Sequence, residues 1–305
     1  VPNAIIAVVL AFPFVHESKA GGEHSYDLPG TLTATLGLLS LVYGFTKAAQ
    51  DGWATTSTLY FFGIAIILLV AFFLIQKNVK NPLLPLRIIT ERNRGGSYLG
   101  SMMVGAGLFS MFLFLGLYLQ VILGYSPLRT GFAFLPFSIG IILFAGVASQ
   151  LLPKVGPKPL IIWGLIQSTV GLYLLTFITP ETAYITHVLP SLLIMSTGMA
   201  LVFIPISTTA LHGIDGRDSG VASAALNTSQ QVGGSLGTAL LNTIAATSAA
   251  NYLINNPGLG DKAQVFALTH GYTASFKAGA AMLIVAAIVM MVFIKVGKES
   301  LVEKD

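Results

Sequence analysis

The sequence consists largely of apolar blocks of about twenty residues, the length that a helix needs to cross the hydrocarbon core of a bilayer. Short stretches rich in Gly, Pro, Asp and Asn separate the blocks, and such stretches are typical of turns. Inside a bilayer only helices and closed barrels satisfy their backbone polar groups, and these blocks are too long and too uniformly apolar for barrel strands. We therefore predict an all-α fold, a polytopic membrane helix bundle. The predicted segments are 1–15, 30–48, 58–76, 95–122, 131–152, 160–178, 188–211, 220–248 and 273–294.

The composition excludes several other classes of protein. Charged residues make up 9% of the chain and hydrophobic residues 54%, whereas about a quarter of the residues in a soluble domain are charged. The chain has no Cys, so metal centres built on thiolates are excluded. The formal net charge of +4 comes from basic residues in loops. We therefore predict a lipid bilayer as the partner and no nucleic acid.

No group of residues predicts enzyme chemistry. The five His residues lie far apart in sequence, at loops or at the ends of apolar segments. The motifs of zinc proteases, serine hydrolases and phosphate-binding loops are absent from the sequence. We therefore predict no catalytic residue, no bound metal and no cofactor, and we do not expect an enzyme.

The distribution of basic residues predicts an orientation. If the loops are assigned alternately to the two sides of the membrane, one side holds 12 of the 16 Lys and Arg residues and the other holds 4. The positive-inside rule makes the richer side cytoplasmic. The loop 16–29, the segment 77–94 and the tail 295–305 are then cytoplasmic.

Three parts of the chain are not read as complete spans. Residues 1–15 follow no initiator Met and no basic n-region, so we interpret them as the truncated end of a transmembrane helix and the chain as a fragment. The basic, amphipathic stretch Pro82–Arg94 suits either a short helix at the membrane interface or a solvated linker. Residues Asn251–Gly271 are predicted to form the longest loop on the outer side.

The segment 220–248 carries a stripe of polar side chains. At 100° per residue, five amides and hydroxyls fall within an arc of about 80°. They are Asn227, Gln231, Ser235, Thr238 and Asn242, and Gln230 lies beside them. Gly233 and Gly237, on another side of the helix, have the spacing of close helix contacts.

An unpaired amide that faces lipid is unfavourable by several kcal/mol, so the stripe must face protein or water. One interpretation is a static seam that is hydrogen-bonded to a neighbouring helix. We favour the other, the wall of a water-filled cavity. The segment 273–294 differs, because it has almost no polar side chain after Lys277, and we expect it at the periphery against lipid.

Short motifs along nearly the whole chain have the order and spacing of a known family. They are DLPG at 27–30, DGW at 51–53, NPLLPLR at 81–87, YLQ at 118–120, GYSPL at 124–128, GFAFLP at 131–136 and NTSQQVGGSLG at 227–237. In these motifs the chain resembles the fourteen-span drug:proton antiporters of the major facilitator superfamily, the EmrB/QacA type.

The resemblance implies an architecture. Residues 1–15 would end the N-terminal bundle of the same protein, which is missing here, 30–76 would form two linker helices, and 95–294 would form the C-terminal six-helix bundle. Four of its helices would surround a central cavity, namely 95–122, 131–152, 188–211 and 220–248. The helices 160–178 and 273–294 would lie outside.

The resemblance also implies proton-driven export of hydrophobic or cationic small molecules by alternating access, at the bacterial cytoplasmic membrane. The candidates for the substrate pathway are Gln120, Asn227, Gln230, Gln231, Ser235, Thr238 and Asn242. The candidates for hinges and gating are Pro136, Pro205, Lys154, Gly156 and Lys158. The second-half gating motif would be 149–158, where Pro153 stands at a position at which the family often has an Asp. Gln230 stands where many relatives carry Arg.

The absence of acids from the apolar segments leaves the function open on one point. No Asp or Glu lies within any predicted span, although proton coupling needs a titratable group in the pathway, usually a carboxylate. Either this acid lies upstream of Val1, or coupling does not use a carboxylate. The alternatives are an exporter of a specific metabolite, such as an amino acid, siderophore or lipid precursor, and a non-transporting membrane sensor or assembly protein with the same fold.

Overall fold

A computed structural model describes residues 27–80, 82–216 and 218–298 of the chain. All regular elements in these residues are helical. The nine α-helices are α1 (Leu28–Asp51), α2 (Thr56–Asn78), α3 (Leu86–Thr90), α4 (Arg92–Leu117), α5 (Pro127–Val155), α6 (Pro157–Leu174), α7 (Leu189–Leu211), α8 (Ser219–Asn255) and α9 (Ala263–Phe293). Four short turns of π- or 3-10 helix adjoin them, namely Tyr118–Ile122, Leu175–Phe177, Tyr184–Val188 and Pro257–Lys262. The segment 1–15, predicted to end a transmembrane helix, lies outside the described residues.

The predicted all-α membrane fold is confirmed. Seven helical stretches in the described residues are long and apolar enough to cross a membrane, and they contain α1, α2, α4, α5, α6, α7 and α9. The predicted segment 220–248 forms α8, which has 37 residues. It is less apolar than the seven stretches above and is not among them. Its length, about 55 Å at 1.5 Å per residue, exceeds the thickness of a bilayer core. The chain is therefore part of a multi-pass membrane protein.

Local sequence explains where the long helices begin and end. The Asp27 carboxylate caps α1 by accepting a hydrogen bond from the Gly30 amide at 2.8 Å, and Pro29 stands in the first turn, where a missing amide hydrogen does no harm. Ser126 caps α5 in the same way, through the Arg129 amide. Gly156 ends α5 with a φ of 87°, a backbone conformation that favours glycine.

The helices form a bundle and an attached hairpin. In the bundle α4 packs against α8 and α9, α6 packs against α7 and α9, and α5 packs mainly against α7. The largest fully buried side chains include Met111, Phe114 and Tyr118 of the α4 region. Helices α1 and α2 pack against each other, and α1 contacts α8. The hairpin therefore lies beside α8, the most polar of the long helices.

Contacts between loops agree with the alternation of sides that the basic residues predict. At one end Arg87 lies 2.6 Å from Asp218, and the Lys295 amide donates to the Asn93 side chain at 2.7 Å. At the other end the Tyr118 hydroxyl donates to the Thr179 carbonyl at 2.7 Å. Which of the two ends is cytoplasmic stays a prediction.

The structure decides between the two interpretations of Pro82–Arg94. This stretch contains the short helix α3, and Ile88 of α3 is only 1% exposed. Ile88 packs against Tyr98, Ala210 and Ala222. A solvated linker would not bury an Ile, so Leu86–Thr90 is a short helix that docks on the bundle, and its position at the membrane interface stays a prediction.

The prediction of a long outer loop at Asn251–Gly271 is wrong. Helix α8 continues to Asn255 and α9 already begins at Ala263, which leaves a connection of seven residues built around Pro257–Lys262. The turn residues Asn256, Pro257, Gly258 and Gly260 lie in this short connection, and the rest of the predicted loop belongs to the ends of α8 and α9. Gly271 instead packs closely on the backbone of Ala245.

Helix α9 combines a buried face with the expected exposed one. Ser275 is buried and donates a hydrogen bond to the Leu241 carbonyl of α8 at 2.7 Å, and Phe276 is fully buried. Ile284 and Ile288 are exposed on the other side. Helix α9 therefore has an exposed apolar side, and its other side packs against α4, α6 and α8. Both sides explain why it has few polar side chains.

Candidate substrate pathway

The contact between α4 and α8 is made by small residues. A Cβ atom added to Gly233 would lie 1.8 Å from the Met102 carbonyl oxygen, and one added to Gly237 would lie 2.3 Å from the Ala106 Cβ. Gly105 of α4 approaches the Gln230 carbonyl just as closely. Small residues allow the backbones of membrane helices to touch, which is a main source of helix association in lipid. This glycine seam fixes the rotation of α8 about its axis.

The polar stripe of α8 lies off this seam. Asn227, Gln231 and Asn242 are exposed in the described part of the chain, and Ser235 and Thr238 are half-buried. None of these five side chains forms a hydrogen bond with another described residue. The described residues thus include no hydrogen-bonding partner for the stripe, as the interpretation of a static contact with a neighbouring helix would require. The stripe forms an open, unpaired polar surface along α8.

One exposed aromatic side chain of α4, Phe109, lies beside the stripe, and a second, Phe112, lies three residues further along the same helix; neither was predicted from the sequence as a site residue. The Phe109 ring contacts Gly234, which adjoins the stripe on the helix surface, and it is 39% exposed. Phe112 is similarly exposed and meets the Phe134 and Phe137 rings of α5 at centroid distances of 5.1 and 5.3 Å. Their spacing of three residues in an apolar span was the available signal. Amides and aromatic rings together form the kind of surface that binds amphipathic small molecules.

Gln230 and Gln120 occupy different surroundings from the other pathway candidates. The backbone of Gln230 is part of the glycine seam, and its side chain is half-buried. Gln120 is exposed in the π-helical turn Tyr118–Ile122 at the end of α4. No recorded contact joins Gln120 to the stripe within the described residues. A shared pathway role for these two residues stays a prediction.

The two hinge candidates lie inside continuous helices. Pro136 stands in α5 and Pro205 in α7, and a proline removes one backbone hydrogen bond from each helix. The Thr209 hydroxyl donates to the Pro205 carbonyl at 2.7 Å. Pro136 also lines a cleft of about 660 Å³, where the Arg129 guanidinium lies 3.9 Å from the Tyr125 ring centre.

The gating candidates surround the tight turn between α5 and α6. Gly156 is buried, Lys154 is exposed and Lys158 is half-buried. The backbone of Lys298 passes Gly156 so closely that a Cβ there would lie 3.1 Å from the Lys298 nitrogen. Lys154 and Lys158 form no ion pair with a described residue. The turn therefore contacts the C-terminal tail, and a gating role stays a prediction.

The acidic side chains of the described residues lie at helix ends or in loops. Asp27 is buried beside the start of α1, where its carboxylate accepts hydrogen bonds from the Gln76 side chain at 2.5 Å and the Leu83 amide at 3.5 Å. Burial raises the pKa of Asp27, but the hydrogen bonds from Gln76, Gly30 and Leu83 together lower it by more than burial raises it. The pKa of Asp27 is therefore below its usual value. This carboxylate is a structural anchor for the hairpin.

A model of the family described as the Major Facilitator Superfamily matches residues 3–238. This match covers more than half of the chain, and the all-helical structure with its apolar helices agrees with it. The chain belongs to the major facilitator superfamily.

Curated relatives include drug resistance and export proteins. The chain is 37% identical to the puromycin resistance protein pur8 of Streptomyces alboniger over 96% of this chain and 58% of the relative. It is 30% identical to the cephamycin export protein CmcT of Amycolatopsis lactamdurans, over 79% of this chain and 49% of the relative. The multidrug transporter protein MdtP of Bacillus subtilis is 27% identical over 83% of this chain and 47% of the relative. The chain thus spans about half the length of the curated relatives it matches.

Proposed function

We propose that this chain is part of a secondary transporter that exports hydrophobic or cationic drugs by alternating access, driven by protons. The observation that carries the proposal is the polar stripe of α8, whose side chains have no hydrogen-bonding partner among the described residues and which has the Phe109 ring beside it. A surface of amides without protein partners needs water or substrate in contact with it. The names of the relatives, which refer to drug resistance, drug export and multidrug transport, support the same substrate class.

The test is to remove the amides and compare the drug profile with stability. In the proposed pathway Asn227→Ala and Gln231→Ala should alter the ranking of resistance among several drugs. The melting temperature should change little, because no hydrogen bond to a described residue is lost. Resistance of a drug-sensitive host to each compound and thermal unfolding of the purified protein measure the two effects.

Gln167 of α6 provides a matched control. Its side-chain amide donates a hydrogen bond to Thr197 of α7, so Gln167→Ala removes an amide that joins two helices. This variant should lose stability of about 1 kcal/mol and keep the wild-type drug ranking. If Asn227→Ala and Gln231→Ala behave like Gln167→Ala, the stripe is a packing surface and the proposal for the site is wrong.

The proton-carrying residue is not assigned to the described helices. Their long apolar parts contain no carboxylate, and the depressed pKa of Asp27 makes this buried acid a poor proton carrier near neutral pH. Proton coupling therefore needs either an acid elsewhere in the protein or a titratable group that is not a carboxylate. We propose the fourteen-span arrangement, in which α1 and α2 are linker helices between two six-helix bundles.

The proposed topology places α3 and the C-terminus in the cytoplasm. The 305 residues of the chain include no Cys, so a single introduced Cys can be labelled without background from these residues. Pro85→Cys, next to α3, should react with a membrane-impermeant maleimide only after the cells are permeabilised. Ala54→Cys, between α1 and α2, should react in intact cells. Labelling of position 85 in intact cells contradicts the topology.

Export of one specific compound is the second candidate function. It is favoured by the names of two relatives, which refer to puromycin and cephamycin respectively. Resistance to a single member of a broad compound panel supports this function. Resistance to several chemically unrelated compounds supports the multidrug proposal.

A further inference from the structure

A lateral groove lies between the α1–α2 hairpin and the bundle. It has two chambers that share Leu240 of α8. The inner chamber has a volume of about 340 Å³ and is formed by residues of α1, α4, α8 and α9. The outer chamber has a volume of about 440 Å³ and extends toward the C-terminal end of α8. Cavities of this size are in the range of small-molecule sites.

The inner chamber is lined entirely by apolar residues and is rich in methionine. Met102 and Met103 of α4 face it together with Met282 of α9. Methionine side chains are flexible and polarisable, so they adapt to apolar ligands of different shapes. This chamber suits the apolar part of a ligand.

The outer chamber offers hydroxyl and amide groups on the side of α8 that faces the hairpin. Thr243, Thr247, Ser248 and Asn251 line it, and Trp53 of the hairpin faces them. Trp side chains favour positions where an apolar surface meets a polar one. Polarity therefore increases along the groove, from the methionines to Asn251.

Aromatic side chains of the hairpin cover both chambers. Phe45 lines the inner chamber and Trp53 lines the outer one, and their ring centres are 5.8 Å apart. The Phe62 ring supports Phe45 at 5.0 Å and Trp53 at 6.4 Å. The Phe45, Trp53 and Phe62 rings thus form one aromatic cluster on the hairpin side of the groove, with one ring in each chamber.

The lining defines the chemistry of the ligand. Every residue that lines either chamber is uncharged, so the groove has no group to pair with a phosphate or an ammonium. Leu240 lies about 180° around α8 from the centre of the polar stripe. The groove is therefore separate from the proposed substrate pathway.

We propose that the lateral groove binds an uncharged amphiphile, with its apolar part among the methionines and its polar end at Thr247 and Asn251. Phospholipids that carry a charged headgroup are not the ligand, because the outer chamber cannot compensate the charge. The site goes beyond the proposed transport function, since binding at equilibrium requires neither a gradient nor the polar stripe.

The test uses Trp53 as the reporter of occupancy. The protein, with its other tryptophans replaced by Phe, is placed in nanodiscs and titrated with dibrominated monoacylglycerol, an uncharged single-chain amphiphile whose bromines quench Trp fluorescence. Quenching of Trp53 should saturate, at a mole fraction about tenfold lower than for dibrominated phosphatidylglycerol. A second protein keeps only Trp163, which is 64% exposed on α6. Its quenching should rise without saturation and equally for both lipids.

Filling the inner chamber separates specific binding from general lipid contact. Ala281 lines the chamber, so Ala281→Phe should abolish the saturable quenching of Trp53. Val285→Phe, at a second lining position, should do the same and serves if the first variant does not fold. Ile288→Phe is the control, because Ile288 is exposed on the same helix and does not line the groove.

Removing the polar end tests the orientation of the ligand. Asn251→Leu should raise the half-saturating mole fraction of the monoacylglycerol without changing the response of Trp163. Equal quenching of Trp53 by the two brominated lipids would show bulk bilayer in the groove and overturn the proposal. Saturable quenching that survives both Ala281→Phe and Val285→Phe would overturn it as well.

Discussion

Helix α2 of the hairpin and helix α4 of the bundle are both apolar enough to cross a membrane, yet they differ in how much of each helix is buried. The α2 span has a mean hydropathy of 2.8 and only 17% of it is buried, whereas the span formed by α4 has a mean hydropathy of 2.0 and is 67% buried. The more apolar helix is thus the less buried one. Hydropathy predicts that a helix enters the membrane, but it does not determine how many other helices pack against it.

The difference lies in the small residues. In lipid the apolar environment does not drive helices together, so close backbone contact and hydrogen bonds decide which helices associate. Gly96 and Gly100 of α4 pack on Phe293 and Met290 of α9, and Gly105 packs on α8. In the hairpin Gly37 and Gly44 of α1 pack on the side chains of Leu69 and Phe62, and Gly63 of α2 has nothing within 4 Å of an added Cβ. Close contacts in the bundle thus reach the backbone of the neighbouring helix, as at Gly105, whereas those in the hairpin are made with side chains.

The largest effect should follow from enlarging a glycine of the seam. Gly233→Leu places a branched side chain against the Met102 carbonyl, where even a Cβ does not fit. Because backbone cannot move aside as a side chain can, we expect a loss of at least about 3 kcal/mol of stability and little folded protein. Fluorescence-detected size exclusion and thermal unfolding measure both.

Gly63→Leu is the matched change in the hairpin. An added side chain at this position meets open space, so the free energy of unfolding should change by no more than about 0.5 kcal/mol. The melting temperature should therefore stay close to that of the wild type. Equal losses in Gly233→Leu and Gly63→Leu would remove the distinction between the two regions.

A smaller effect is expected at the anchor of the hairpin. Asp27 binds the Gln76 side chain of α2 and the Leu83 amide beyond it, so Asp27→Asn replaces a charged acceptor with a group that can accept on only one atom. We expect a loss of about 1 kcal/mol at neutral pH.

Asp51→Asn, at the opposite end of α1, is the control. Asp51 is exposed, pairs with Lys47 at 3.2 Å and accepts a long hydrogen bond from the Ser57 hydroxyl at 3.4 Å, and the change should have a smaller effect on melting.

The same substitution has a pH dependence whose sign follows from the depressed pKa of Asp27. The contribution of this carboxylate is complete above its unfolded pKa of about 3.9 and is lost as the pH falls through the lower folded pKa. The difference in melting temperature between wild type and Asp27→Asn should therefore be constant from neutral pH down to about pH 5 and shrink below pH 4. A difference that grows on acidification contradicts the anchor role.

The sequence predicted the helices well because their signal is local. Blocks of apolar residues and the Gly, Pro and Asp between them are read within one segment, and they placed α1, α2 and α4 to within a few residues. The prediction failed at Asn251–Gly271, where the turn residues at 256–260 suggested a long loop although the flanking residues continue α8 and α9. How far a helix continues toward a turn depends on its contacts with neighbouring elements, such as the close approach of Gly271 to the Ala245 backbone.

The candidate site was predictable only in part, because its contacts join distant parts of the chain. The periodicity of 220–248 identified the polar stripe and the glycines Gly233 and Gly237. It did not identify Met102 or Ala106 as their partners, or Phe109 as the neighbour of the stripe. Pairing between helices depends on which faces meet, and a single sequence with several apolar faces does not determine that choice.

The smallest effect should come from the ion pair that connects the segment after the hairpin to the bundle. Arg87 of α3 lies 2.6 Å from Asp218, the residue before α8, but the Arg87 side chain is 69% exposed. Water and salt weaken such a pair, so Arg87→Ala should cost less than about 1 kcal/mol, and the cost should fall further in high salt. Lys80→Ala is the control, because Lys80 forms no ion pair with a described residue.

If Arg87→Ala destabilised the protein as much as Asp27→Asn, at both low and high salt, the attachment of α3 would depend on Arg87 rather than on the buried Ile88. The hairpin and the bundle would then be joined by charge, and the contrast between them would have to include this link.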